Sequence, residues 1–228
     1  MEGNFKSEIT KNKRYPPGAG LLLYNLSVKH DFSKTFNVFK RHYEHVPLEI
    51  FGKNPYTTLI STMLSSRTRD EVTLEASKRL FAKAPNLEQL GKLEIRSIAK
   101  LIYPVGFYKT KTRQLKLLSN IILKKFNGKI PNTREGLMTL AGVGRKTANL
   151  VINRAFGVSA IAVDTHVHRI SNLLGWVKTS SPEQTERELI KILPKKYWKD
   201  TNRLFVSVGR QCPTKKKLEG FLKKNKLI

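Results

Sequence analysis

The sequence predicts an all-α protein. From Phe32 onward apolar residues recur at helical spacing almost everywhere, and the alternating pattern of strands is nearly absent. One helix start is fully signposted as well. Ser181-Pro182-Glu183-Gln184 supplies a serine cap, a proline at the first helical position and a glutamine at the third, which is the pattern of a capping box. That helix is expected from Pro182 to Leu193 and must stop before Pro194.

The other elements follow in chain order. Residues 1 to about 30 contain the turn cluster Tyr15-Pro16-Pro17-Gly18-Ala19-Gly20 and are expected to form a basic, partly disordered arm that docks through Leu21 to Leu23. Leu59, Ile60, Met63 and Leu64 fall on one helix face. Further helices are expected over Val72–Phe81, Leu87–Ile102, Lys109–Phe126, Arg145–Phe156 and Thr165–Leu174. In the Lys-rich tail from Lys215 to Lys226, Leu218, Phe221 and Leu222 stand at i, i+3 and i+4, the spacing of a short helix that docks an apolar edge and leaves its lysines outward.

Composition narrows the function. The 228 residues hold 43 Lys and Arg against 17 Asp and Glu, a formal charge of +26. Solubility needs far less, so the excess points to a polyanionic partner, and nucleic acid fits better than a membrane surface because no short segment joins a Lys-rich face to exposed bulky apolar residues. A single cysteine, Cys212, excludes a disulfide framework and a four-cysteine metal site. The N-terminal stretch carries Glu2 and Glu8 and no apolar core, so no cleaved signal is expected. The expected location is intracellular, with the DNA, in cytoplasm and nucleoid or in a nucleus.

The most informative stretch is Leu140-Ala141-Gly142-Val143-Gly144-Arg145-Lys146-Thr147-Ala148, between a short apolar segment and a strongly patterned helix. A Gly-x-Gly turn between two helices allows positive φ and close backbone approach, and it leaves free amides at the second helix start to meet an anion. Downstream, the apolar run Ala160 to Val163 leads into Asp164-Thr165-His166-Val167-His168-Arg169, where Asp164 is placed to cap a helix. His166 and His168 have no third partner at metal-ligand spacing, so no metal centre is expected there.

These residues resemble the endonuclease III branch of the helix-hairpin-helix glycosylase superfamily. The likeness runs from about Pro55 to Cys212 and is carried, in order, by Met63 to Asp70, Ile102 to Tyr108, Leu140 to Ala148 and Val163 to Arg169. It implies two helical lobes: a six-helix lobe over about residues 48–157 that holds the hairpin, and a lobe formed by residues 31–47 with 158–228. The active site would lie in the cleft between them. It further implies a monomeric bifunctional DNA glycosylase and AP lyase of base excision repair, acting on a nucleotide flipped from double-stranded DNA that carries a damaged base or abasic site. Lys146 would be the nucleophile and Asp164 its partnering carboxylate. Gly142, Val143, Gly144, Arg145, Thr147, Arg67, Phe107, Tyr108 and His166 would meet the DNA. A structural monovalent or divalent cation could sit at the hairpin.

The chemistry asks for those two residue types. An amine that attacks C1′ of the sugar releases the base and leaves a Schiff base, from which β-elimination cuts the strand 3′ to the abasic site. A lysine amine with an ordinary pKa of about 10.4 is protonated at neutral pH, so it needs desolvation or neighbouring cations, and Arg145 in the cleft wall is expected to contribute. A carboxylate takes the proton or steadies the cationic sugar.

The chain departs from the family in three places. Relatives follow the segment matching Val208 to Cys212 with four cysteines that hold an iron-sulfur cluster, whereas here only Cys212 is present and no such cluster is expected. The hairpin reads Leu-Ala-Gly where relatives have Leu-Pro-Gly, and Arg67 stands where they commonly carry glutamine beside the hole left by the flipped nucleotide. Within the family, Ile102 to Tyr108 and Val163 to Trp176 are most similar to the branch that removes oxidised pyrimidines of the thymine glycol type. The alternatives are a mismatch or oxidised-purine glycosylase on the same fold, and a non-catalytic hairpin module that only grips phosphate.

Overall fold

Six helix starts among the described residues are fixed by side chains that satisfy the unpaired first-turn amides. In the computed structural model, which describes residues 30–228, the capping side chains are those of Asn54, Asn86, Thr133, Asp164, Ser181 and Thr214. The helices are α1 (Phe32–Arg41), α2 (Pro55–Ser65), α3 (Asp70–Lys83), α4 (Leu87–Lys92), α5 (Ile95–Ile102), α6 (Tyr108–Lys125) and α7 (Arg134–Met138). They continue with α8 (Arg145–Phe156), α9 (Thr165–Leu173), α10 (Pro182–Ile192), α11 (Trp198–Gln211) and α12 (Lys215–Lys224), with short 3-10 turns at Pro47–Phe51 and Lys195–Tyr197. The described residues contain no strand. The arm expected over residues 1–30 and its docking through Leu21 to Leu23 lie outside the described residues, His30 excepted.

The expected helix over Leu87–Ile102 is two helices. Leu93 turns extended at ψ 139°, and Glu94 then starts α5. The break is held from another element: the Lys116 ammonium on α6 donates to Gly91 O and, at 2.7 Å, to Leu93 O, carbonyls that a continuous helix would have used internally. The capping box at Ser181 is shifted by one residue in its second half. Ser181 Oγ accepts from the Gln184 amide at 3.3 Å, while Gln184 Oε1 accepts from the Ser180 amide at 3.0 Å.

Residues Ser33–Ile228 pack as one unit around two apolar centres. The larger is aliphatic and is built by α2 to α8, with Leu59, Ile60, Leu64, Leu80, Leu90, Ile98, Leu115 and Leu118 fully buried. The smaller is aromatic and joins the two ends of the described chain. Phe36 on α1 lies 4.3 Å from the Tyr197 ring and 5.9 Å from Phe205 on α11, and Phe39 lies 5.0 Å from Phe205 and 6.1 Å from Phe221 on α12. Such ring pairs add about 0.5–1.5 kcal/mol each beyond their buried area. The tail is therefore a docked helix: Leu218 and Leu222 are fully buried, and Lys34 Nζ donates to Lys226 O at 2.6 Å.

Candidate active site

A cleft of about 660 Å³ opens where elements of the two centres meet. Its wall takes the α2–α3 loop from Ser65 to Arg69, Lys146 from the first turn of α8, Val163 to His166 from the start of α9, and Arg210 from α11. Lys146 and Asp164 thus face one cavity although they are 18 residues apart in sequence, and Arg67 and His166 line it with them.

The lead into Asp164 is buried from Ala160 to Val163, yet it belongs to no helix or sheet. Buried carbonyls need partners, and three asparagines supply them in succession. Asn153 Nδ2 donates to Ala160 O at 2.9 Å, Asn149 Nδ2 to Ile161 O at 2.9 Å, and Asn202 Nδ2 to Ala162 O at 3.1 Å. The chain then reaches Asp164, whose Oδ1 accepts from the His166 and Val167 amides at 3.0 and 2.9 Å. The cap expected from sequence is formed, and Asp164 keeps a face on the cleft.

The hairpin before Lys146 differs in detail from its expectation. Only Gly142 has positive φ, at 78°, and a Cβ there would stand 2.6 Å from Gln114 Oε1 and 3.0 Å from Met63 Cε. Gly144 is extended at φ −91° and caps α8, with open space where a Cβ would be. Val143 is buried in the aliphatic centre, so of this residue only the backbone is placed to meet an anion. Arg145, expected in the cleft wall, is not there. Its Nε donates to both carboxylate oxygens of Glu186 at 2.9 Å, and Glu186, 4% exposed, also accepts from Asn149 at 3.0 Å. A carboxylate buried on α10 must be paired, so it draws the neighbouring guanidinium away from the cleft and ties the start of α8 to the lead into Asp164. Thr147 is half-buried in the first turn of α8.

At the Arg67 part of the cleft wall, two loops interlock. Arg67 sits at φ 53° and Phe107 at φ 57°, and the Arg67 guanidinium lies 5.4 Å from the centre of the exposed Phe107 ring. Gly106 permits the fit, since a Cβ there would meet Arg67 O at 2.4 Å, and its amide donates to Thr68 Oγ1 at 3.0 Å. Tyr108 is half-buried, edge-on to Tyr103 at 5.3 Å and packed on the aliphatic centre, so its ring supports the loop from below.

Lys111, which the sequence did not single out, anchors this arrangement. It is 6% exposed, and its ammonium donates to Leu64 O at 2.7 Å, Ser66 O at 2.6 Å and Thr68 Oγ1 at 3.3 Å. Burial lowers its pKa to about 8. The unfolded chain therefore holds this proton over a pH range in which the folded chain has released it. Between about pH 8 and the ordinary lysine value near 10.4, the Lys111 contribution to stability should rise with pH, and below pH 8 it should be flat. The difference in melting temperature between the parent and Lys111→Met, followed from pH 6.5 to 10, checks this. A constant difference would contradict it.

His166 is pressed against α11, where a Cβ on Gly209 would stand 2.2 Å from its Nδ1 and 2.8 Å from its Cγ. Burial, opposed by Asp164 and aided by Arg169, holds its pKa below 6.5, so the ring is neutral at pH 7. Gly209→Ala should cost about 1–3 kcal/mol by overpacking, a melting-temperature loss of about 2–4 °C per kcal/mol in a chain of this size. An unchanged melting curve would show that the ring is free to move. His168 is structural, with Nδ1 2.6 Å from Thr185 Oγ1.

A helical hairpin presents a lysine to a cleft that the capping aspartate of a later helix also lines, and sequence comparison identifies the class. The chain belongs to the HhH-GPD superfamily of base excision DNA repair proteins, which it matches over residues 60–195. Within that superfamily it is an endonuclease III-like DNA glycosylase and AP lyase. It is 47% identical over 158 residues to endonuclease III of Thermotoga maritima, covering 69% of this chain and 74% of that one. It is 44% identical over 159 residues to endonuclease III-like protein 1 of Bos taurus, and the match spans 68% of this chain and about half, 52%, of that longer relative. Among solved structures, a trapped covalent endonuclease III–DNA intermediate superposes with a TM-score of 0.70 at 34% identity, over 86% of this chain and 87% of that one. A thermostable thymine-DNA glycosylase superposes at 0.71 over 84% and 91%, but at 23% identity this likeness concerns the fold alone.

Proposed function

We propose that the protein excises oxidised pyrimidines of the thymine glycol type from duplex DNA and then nicks the strand, with Lys146 as nucleophile and Asp164 as the carboxylate that serves it. The observation that carries the assignment is the convergence of Lys146 and Asp164 on one cleft, beside loops that hold Arg67 and Phe107 outward. Lys146 is exposed, and Arg145 is occupied by Glu186, so the desolvation its amine requires comes with the bound DNA. Nζ attacks C1′ as the C1′–N bond breaks, and the departing base carries the electron pair and takes up a proton. The sugar opens to a Schiff base, loss of a C2′ proton expels the 3′ phosphate, and hydrolysis returns the lysine. Asp164 moves the proton and faces the cationic sugar.

Arg67 would fill the space left by the flipped nucleotide and offer its planar fork to the orphaned base. Arg67→Gln should then alter the dependence of excision on the opposite base more than it alters affinity, measured with one lesion placed opposite each of the four bases. Identical profiles would end that role.

An iron-sulfur cluster does not fit this chain. Four cysteines would be needed, the sequence has one, and Cys212 is buried with its thiol pKa raised chiefly by burial. The C-terminal segment is braced instead by the docking of α12 on α1. Excision assays on duplexes with thymine glycol, 8-oxoguanine, a G·T mismatch and an abasic site test the substrate class. Preference for thymine glycol is expected, and preference for 8-oxoguanine or the mismatch would reassign the enzyme within its fold. The setting is intracellular, wherever the DNA is.

A further inference from the structure

A second cavity, of about 210 Å³, shares no lining residue with the cleft. Lys53, Arg154, Lys199 and Arg203 line it with a single carboxylate, Glu49, so the lining carries four positive charges against one negative. That carboxylate is engaged elsewhere, by the Tyr43 hydroxyl and by His45 at 3.9 Å. Arg203 is held by Asp200 at 2.9 Å and lies over the Tyr43 ring.

Arg154 is the anomaly. Its side chain is half-buried, yet it makes one hydrogen bond, from Nη2 to Asn202 Oδ1 at 3.3 Å, and no carboxylate of the described residues pairs with it. A guanidinium in a cavity wall is ordinarily paired with a carboxylate, because its planar fork of donors suits two oxygens and each donor drawn partly from water costs free energy until it finds an acceptor. Asn202 offers only that one neutral oxygen, and the Asn153 and Asn202 nitrogens are donors committed to Ala160 O and Ala162 O. What the cavity lacks is an acceptor with negative charge. Its burial lowers the Arg154 pKa against the pull of Glu49 and Asp164, as expected for a cation without a close counter-ion.

We propose that this cavity binds a phosphate-type oxyanion, with Arg154 as the donor fork at its floor and Lys53 and Lys199 closing over it. The site lies eight residues along α8 from Lys146, roughly 12 Å at the helical rise per residue, and is separate from the repair chemistry. The oxyanion is either a free phosphate group or a phosphate of the DNA backbone, and the two sources are separable.

The full chain is melted across a series of inorganic phosphate concentrations at constant ionic strength, with chloride as the balancing anion. The proposal expects a saturable rise of a few degrees in the parent, its loss in Arg154→Met, and its weakening in the double variant Lys53→Gln/Lys199→Gln. Without phosphate, Arg154→Met should melt at or above the parent temperature, because it removes an uncompensated charge. If Arg154→Met does not fold, the double variant carries the comparison. The salt slope of duplex binding then identifies the source: unchanged in the variants for a free phosphate group, shallower by about 0.9 for each backbone phosphate lost. No phosphate-specific rise in the parent, or an equal rise in parent and variants, overturns the site.

Discussion

Lys146→Gln should release no base and cut no strand while binding lesion-bearing duplex nearly as tightly as the parent. The side chain is exposed in the first turn of α8, outside both apolar centres, so its replacement leaves the hairpin, the Gly142 turn and the Arg145–Glu186 pair in place. What it removes is the one lysine amine among the cleft-lining residues, in a cavity that Asp164 lines as well, and glutamine has no nucleophilic lone pair at that position. Base release from a thymine glycol duplex and equilibrium affinity for the same duplex, measured in parallel, give the outcome. Residual release near the parental rate would move the nucleophile to another residue.

Asp164→Asn should lower turnover by ~10²–10⁴-fold with little loss of stability or DNA affinity. The substitution separates two roles that one side chain performs. Asparagine is as good an N-cap as aspartate, so its Oδ1 can still accept from the His166 and Val167 amides, and only the charge is lost. Asp164→Ala removes the cap as well and should cost about 0.5–2 kcal/mol more in stability. If Asp164→Asn turns over normally and only Asp164→Ala is impaired, the residue is a cap and the carboxylate has no part in the reaction.

The sequence made the scaffold of the site legible because its signals are local. The bounds of α8 follow from glycines on either side, at 144 and 157, and the start of α9 follows from an aspartate placed after an apolar run. What stayed hidden depends on partners distant in the chain. The break at Leu93 is held by Lys116, and the start of α8 is clamped by Glu186, a carboxylate on a helix face that reads as ordinary until its partners are known. Lys111 looks like one more lysine of a basic chain, and only burial among three oxygens distinguishes it. One signal was available: Asn149 and Asn153 stand four apart on the patterned helix after the hairpin, where polar residues at core spacing imply a buried acceptor. Helix α11 carries the aromatic centre through Phe205, and its start at Trp198 has no side-chain cap to mark it in the sequence.

Borohydride reduction of the working enzyme on a thymine glycol duplex tests the central claim most directly. Reduction fixes a Schiff base as a stable amine, so digestion and mass mapping of the cross-linked peptide identify the nitrogen that attacked C1′. The structure predicts one cross-link, at Lys146, absent from Lys146→Gln and still formed, more slowly, by Asp164→Asn. A cross-link at any other lysine, or efficient base release with no cross-link at all, would contradict it.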